Sequence, residues 1–421
     1  MTSGTHRAIE AVWRIESARL IAGLARISGD VGLAEELAQD ALVAALEQWP
    51  AAGVPEKPGA WLMSTAKHRA IDRIRRATTL ARKYEQLGRE LVIAEETGSP
   101  LEPDEDMGDD LLRLIFTACH PVLATEARVA ITLRVVGGLT TEEIARAFLV
   151  PVPTMAQRIV RAKRTLSEAR VPFEVPTGPD RVARLGSVLE VIYLIFNEGY
   201  AATAGDDWVR PILCEDALRL GRILAGLMPS EPEVHGLVAL MEIQASRLRA
   251  RVGPSGEPVL LLDQDRTRWD GILIQRGLAA LARAERLGGA LGPYTLQAAI
   301  AACHARARTA EETDWARIVA LYDGLAELTP SPIVELNRAV AVGMAFGPVA
   351  ALDLVDALRD EKALSGYHLL PAVRGDLLRK LGRASEAASE FERAAELTAN
   401  ERERELLRRR AAETAAERIS S

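Results

Sequence analysis

Apolar residues recur at helical spacing (i, i+3, i+4, i+7) through most of this chain, and alternating β-branched runs are scarce. That period constrains the fold more than any other feature, and the expected class is all-α. The spacing predicts helices over 7–27, 31–49, 58–83, 108–119, 124–136, 140–148 and 153–169. Breaks between them are legible as Pro/Gly clusters at Pro50–Pro58 and Val171–Pro179 and as an acidic stretch with two prolines at Gly98–Gly108. Hydrophobic residues at 48% with only 4% aromatics, and recurrent Ala, Leu, Arg and Glu, favour helix as well. With 421 residues and about 100–200 residues per domain, the chain holds several domains.

Three function classes find no support. Cys119, Cys214 and Cys303 are odd in number and far apart, so neither a disulfide framework nor a CxxC metal pair is available and a cytoplasmic location is expected. Met1–Glu10 lacks an apolar signal core and no stretch of membrane-spanning length is free of charge, so no membrane partner is expected. The histidines show neither HExxH nor zinc-finger spacing, and no phosphate-binding GxxxxGK[ST] loop occurs, so no enzyme, catalytic residue, metal or cofactor is expected.

The net charge of −7 argues against a nucleic-acid partner until its distribution is considered. Residues 1–175 carry 22 basic and 24 acidic residues, but nine of the acids crowd between Glu90 and Asp110 without a single base. Two segments concentrate positive charge: Lys67–Lys83, with seven bases against Asp72, and Pro153–Arg170, with five against Glu168.

The second basic segment has the stronger pattern. Thr140 and Glu143 have capping-box spacing at the start of a short helix, Leu149–Val152 interrupts it, and Pro153-Thr154 opens a second helix. A helix, a short turn and a basic helix make a helix-turn-helix. Met155, Ile159, Ala162 and Leu166 supply its buried stripe, leaving Thr154, Gln157, Arg158, Arg161 and Arg164 outward. Gln157 and Arg158 are the candidates for base edges; Arg161, Lys163 and Arg164 are those for phosphates.

In the first basic segment Trp61, Met63, Ala66, Ala70 and Ile74 form an apolar face, with Lys67, Arg69, Arg73 and Arg76 largely outward. Such a helix is suited to melted DNA. Trp61 reads either as core or as a base-stacking platform. Upstream, Leu33–Leu42 is amphipathic with an acidic outer face suited to a basic protein partner.

These motifs resemble the RNA polymerase sigma factors of the extracytoplasmic-function type. Ala34–Asp40 resembles the core-polymerase-binding helix of sigma region 2, Trp61–Arg76 the promoter −10 helix, and Gly138–Leu166 the region 4 helix-turn-helix. The chain departs from the family pattern at His68, where Asn is usual, at Leu149, where the turn has Gly, and at Pro153 and Ala156. The resemblance implies core-polymerase contacts at Glu35, Glu36, Gln39 and Asp40, and −10 contacts at Trp61, Lys67, His68, Arg69, Asp72, Arg73, Arg75 and Arg76. It implies −35 contacts at Thr154, Gln157, Arg158, Arg161, Lys163 and Arg164. The implied partners are core RNA polymerase, through the β′ clamp coiled coil and the β subunit, and promoter DNA. The competing reading is a helix-turn-helix regulator or scaffold that does not engage polymerase.

The expected organisation is a region 2 domain over 1–96, an acidic linker over 97–108, a region 4 domain over 109–170, a second linker over 171–179 and an extension over 180–421. From Asp180 onward, successive helices with short turns read as a diverged helical-hairpin repeat or as an irregular helical domain. Leu381–Leu397 looks like a tetratricopeptide hairpin, with Ala387, Ala388, Phe391 and Ala394 at its close-packing positions, and Ala351–Leu352 echoes it 36 residues earlier. Tyr193–Tyr200 and Leu261–Asp270 are similar to segments of a sigma subgroup with a helical-repeat extension. That likeness implies a regulatory surface including Asn197, Glu198, Asp263, Asp265, Arg266, Trp269 and Asp270, and a regulatory protein or peptide as partner. Asp and Arg at the density of 263–270 are expected to form a salt-bridged turn.

Overall fold

The computed structural model describes residues 2–80 and 105–420, with side chains described at 5–6, 8–9, 11–69 and 109–416. Two compact units divide the chain, Met1–Ile192 and Tyr193–Ser421. The divide falls inside a helix, later than the Val171–Pro179 joint. Among the described residues, no helix is long and apolar enough to cross a membrane.

The N-terminal unit begins with α1 (Thr2–Ser28), α2 (Val31–Ala52) and α3 (Pro58–Leu80), which pack on one another. Asp30 caps α2 by accepting from the Leu33 amide at 2.9 Å, and Gly53, at φ 85°, ends it. Next come α4 (Glu105–Ala118), α5 (Thr125–Val135), α6 (Thr141–Ala147) and α7 (Val152–Glu168). The expected linker over 97–108 lies mostly outside the described residues, and α4 already begins at Glu105. Ile131, Leu133 and Val135 of α5 are buried with Leu114 and Phe116 of α4.

The first half of α8 (Gly178–Tyr200) belongs to this unit. Val188 is fully buried, Ser187 Oγ donates to the Cys119 carbonyl at 2.7 Å, and Arg184 donates to the Phe116 carbonyl at 2.9 Å. Three prolines do not end a domain when the following helix carries a stripe that the preceding helices need.

The C-terminal unit holds α9 (Pro211–Leu227), α10 (Pro232–Ala245), α11 (Gly271–Arg286), α12 (Pro293–Arg306), α13 (Trp315–Leu328), α14 (Pro332–Phe346), α15 (Pro348–Ala357), α16 (Leu369–Lys380), α17 (Ala384–Leu397) and α18 (Glu401–Ser420). Helices adjacent in sequence pack pairwise, as in a helical repeat. At the expected hairpin, Ala387, Phe391 and Ala394 are buried, whereas Ala388 is only half-buried and Ala395 takes the further buried position. Gly375 lets α16 approach that helix, since a Cβ there would lie 2.9 Å from the Phe391 ring. Ala351 and Leu352 share one core with Ala387 and Phe391, so the echo in sequence is also a neighbour in space.

Two short parallel strands, β1 (Ala204–Gly205) and β2 (Ala399–Asn400), join the first loop of this unit to its last joint. Asn400 Nδ2, buried, donates to the carbonyls of Ala202 at 3.1 Å and Asp207 at 2.9 Å.

Candidate nucleic-acid interface

The helix-turn-helix forms from local rules. Thr140 Oγ1 accepts from the Glu143 amide at 3.1 Å while the Glu143 carboxylate accepts from the Thr140 amide at 2.8 Å, completing the expected box. The turn to α7 contains Leu149 at φ 51°, a left-handed conformation that disfavours any side chain with a Cβ. Leu149 stands where the resembled pattern has glycine, and the backbone keeps the glycine conformation.

On α7, Met155, Ile159, Ala162 and Leu166 are at most 5% exposed. The opposite face carries Thr154, Gln157, Arg161 and Arg164, all exposed, with Arg158 half-buried. Thr154, Gln157, Arg158 and Arg161 line one cleft of about 360 Å³ whose far wall is Val122–Ala127, at the start of α5. Arg158 and Arg161 have no ion-pair partner among the described residues. Arg164 pairs with Glu168 at 2.7 Å on the open surface, and that bond raises the arginine's pKa. Exposed pairs of this kind are worth little and exchange readily for another anion.

Lys163 is placed differently. Its ammonium meets the carboxylate of Glu35, which also accepts from Arg134 Nε at 2.8 Å and from Gln39 Nε2. Glu35 is 3% exposed, so the outer acidic face expected for α2 is corrected at this residue. The reason is the packing of α2 against α7, which brings a basic and an acidic helix face together and desolvates both. A guanidinium or carboxylate taken out of water requires a partner, and here each supplies the other's. Arg134 also donates to the Leu139 carbonyl at 3.0 Å. Sequence reasoning passed over Arg134, although a lone base within Val129–Val136 is a signal that a buried acid must lie nearby.

Two further pairs tie α1 to the later helices. Arg26 Nε donates to Asp110 at 2.9 Å, joined there by Arg113 at 2.7 Å, and Arg14 lies 3.3 Å from Glu143. Burial raises the Asp110 pKa despite the two arginines. A cleft of about 340 Å³ follows the seam, lined by Asp30, Val31, Lys163, Arg170 and Phe173 among others.

Elsewhere on α2, Glu36 is exposed, Gln39 and Asp40 are half-buried, and Asp40 lies 3.9 Å from Arg69. On α3, Trp61 is half-buried and packs edge-to-face on buried Trp49 with ring centroids 5.2 Å apart, an arrangement typical of core aromatics. Lys67 and Arg69 are half-buried and His68 is exposed. The side chains of Asp72, Arg73, Arg75 and Arg76 lie outside the described residues, although their backbone continues α3.

In the C-terminal unit the expected salt-bridged turn at 263–270 is not what forms. Asp265 accepts from Thr267 N and Oγ1 at 2.9 and 2.6 Å, and Asp270 caps α11 through the Ile272 and Leu273 amides. Arg266 instead donates to the carbonyls of His304 and Ala307 and to Thr313 Oγ1. Free backbone amides at helix starts outcompete guanidinium for nearby carboxylates because they are already in place. Asp263 is exposed and Trp269 buried. Glu198 holds the 203–210 loop through Thr203 and Arg210. Asn197 is half-buried, and the nearby Tyr193 hydroxyl donates to Gln297 Oε1 at 3.1 Å, with burial raising the Tyr193 pKa. Among the described residues, no group of three or more His, Cys, Asp or Glu is placed to hold a metal ion.

Comparison with known proteins divides the chain along similar lines. Residues 15–79 match Sigma-70 region 2, residues 113–166 match Sigma-70 region 4, and residues 184–285 match a family of unknown function, DUF6596. An uncharacterized protein of Rhizobium meliloti is 45% identical over 395 residues, 94% of this chain and 93% of that one. The probable ECF RNA polymerase sigma factor SigI of Mycobacterium tuberculosis is 27% identical over 178 residues, 42% of this chain and 60% of its own.

Proposed function

We propose, for a chain that belongs to one family with the Rhizobium meliloti protein and carries sigma-70 regions 2 and 4, that it binds core RNA polymerase and directs it to promoters. Carrying the proposal is α7, with its apolar stripe buried and Thr154, Gln157, Arg158 and Arg161 presented along one cleft. In this reading those residues and Arg164 meet the −35 duplex. Lys67, His68, Arg69, Asp72, Arg73, Arg75 and Arg76 of α3, together with Trp61, meet the melted −10 strand. Glu36, Gln39 and Asp40 of α2 meet the β′ clamp coiled coil. The C-terminal unit, read as a tetratricopeptide-like repeat, regulates these steps through a protein or peptide partner.

The seam gives this reading a closed state. Glu35 and Lys163 neutralise each other; in this reading polymerase also draws on Glu35 and DNA phosphate on Lys163, so the two dockings compete with one contact. Two ligands that break the same contact favour each other's binding. Polymerase would thus prepare α7 for the −35 element.

The test is run-off transcription with purified core polymerase over a genomic promoter library. Initiation from a defined promoter set is expected. Silence at every promoter, with no binding to core, would overturn the proposal in favour of a helix-turn-helix regulator that does not engage polymerase. Replacing Arg161 with Ala should lower the salt slope of promoter binding by about one unit.

A further inference from the structure

Tyr200 closes α8, and Arg247 and Arg251 follow α10 one turn apart, with the Arg251 amide donating to the Arg247 carbonyl at 3.1 Å. Guanidinium groups and aromatic rings alternate around them. The Arg251 guanidinium carbon lies 3.9 Å from the Tyr200 ring centroid and 5.2 Å from that of Trp208. That of Arg247 lies 5.9 Å from Tyr200 and 5.6 Å from Trp269.

Arg247 is only 6% exposed, yet neither it nor Arg251 pairs with a carboxylate among the described residues. Ring faces ease the charge but accept no hydrogen bond in the guanidinium plane. Nε of Arg247, Nε of Arg251, Nε1 of Trp208 and Nε1 of Trp269 are each buried without an acceptor. Burial, reinforced by the like charge of Arg251, holds the Arg247 pKa below its ordinary value. Orphaned donors are rare in folded proteins, and four beside two uncompensated positive charges are all of one sign. The group that answers them accepts hydrogen bonds, donates none and is negatively charged. Trp269 also lines, with Arg266, a neighbouring cleft of about 550 Å³ that Arg247 and Arg251 themselves do not line.

We propose that Arg247 and Arg251, walled by Tyr200, Trp208 and Trp269, form a binding site in the C-terminal unit for a ligand bearing a phosphate or carboxylate group. This site stands independently of promoter reading by the N-terminal unit.

The full chain is titrated with inorganic phosphate and separately with malonate, each against chloride at equal ionic strength, following tryptophan emission and melting temperature. A saturable change in emission with a rise in melting temperature is expected for at least one of the two. Stronger binding of phosphate identifies a phosphoryl ligand, and stronger binding of malonate a carboxylate. Arg247→Met and Arg251→Gln should each weaken the apparent affinity at least tenfold. An equal response to chloride, or no saturable response in the native protein, overturns the proposal, as does unchanged affinity in either variant. If Arg247→Met does not fold, Arg251→Gln, at a half-buried position, carries the same comparison.

Discussion

Glu35 in the N-terminal unit and Arg247 in the C-terminal unit are both charged side chains with almost no exposure, yet their surroundings are opposite. Glu35 is met by Lys163, Arg134 and Gln39, all from this chain, whereas Arg247 meets aromatic faces and no carboxylate among the described residues. A buried charge that the chain neutralises for itself closes a seam. One left without a counter-charge defines what a ligand must bring. The difference separates a buried charge that the chain satisfies internally from one that it leaves unanswered.

The most disruptive way to test the comparison is Glu35→Ala, which leaves Arg134 and Lys163 facing an uncharged seam. Removing one partner of a buried pair costs about 3–5 kcal/mol, so urea unfolding of the N-terminal unit should shift by about that amount. A loss below about 1 kcal/mol would place the cluster in effective contact with water. Arg247→Met should do the reverse in ligand-free protein, raising stability by about 1–2 kcal/mol, because no partner is orphaned by its removal. Calorimetry in chloride buffer checks it, and destabilisation would mean that an internal acceptor serves Arg247.

Acid sharpens the same contrast. Burial, with Arg247 and Arg266 nearby, lowers the His304 pKa from 6.5 to about 3. The unfolded chain therefore takes up this proton first as pH falls. Stability linked to His304 is complete above about pH 6.5 and declines between there and about pH 3, by about 1.4 kcal/mol per pH unit at the steepest. Melts of native protein and His304→Gln over pH 7 to 4 should show a shallower decline in the variant; parallel curves would clear His304. Leu149→Gly gives the smallest expected effect, a gain of about 0.5–1 kcal/mol. It relieves the left-handed strain at φ 51° while giving up little burial at a residue that is 53% exposed. A melting temperature unchanged or lowered would show that Leu149 makes contacts worth as much as its strain.

Much of this was legible beforehand because it depends on neighbours in sequence. The period placed α1 to α7 within a few residues, the Thr140–Glu143 box formed as its spacing required, and Met155, Ile159, Ala162 and Leu166 form the buried stripe of α7. Glu35 was misplaced because an acid on a polar helix face looks the same in sequence whether water or a lysine 128 residues away answers it. The 263–270 cluster was misread for a related reason: residue types announce that Asp and Arg need partners, not whether amides, carbonyls or rings will provide them.

By itself, then, the sequence determined the helices of the N-terminal unit, the Thr140–Glu143 cap and the outward basic face of α7, since backbone period and capping are local and act within about one turn. Which charges were buried, and against what, was decided only when distant helices packed. Desolvation depends on everything surrounding a group, and no window of sequence contains the far side of Glu35 or of Arg247.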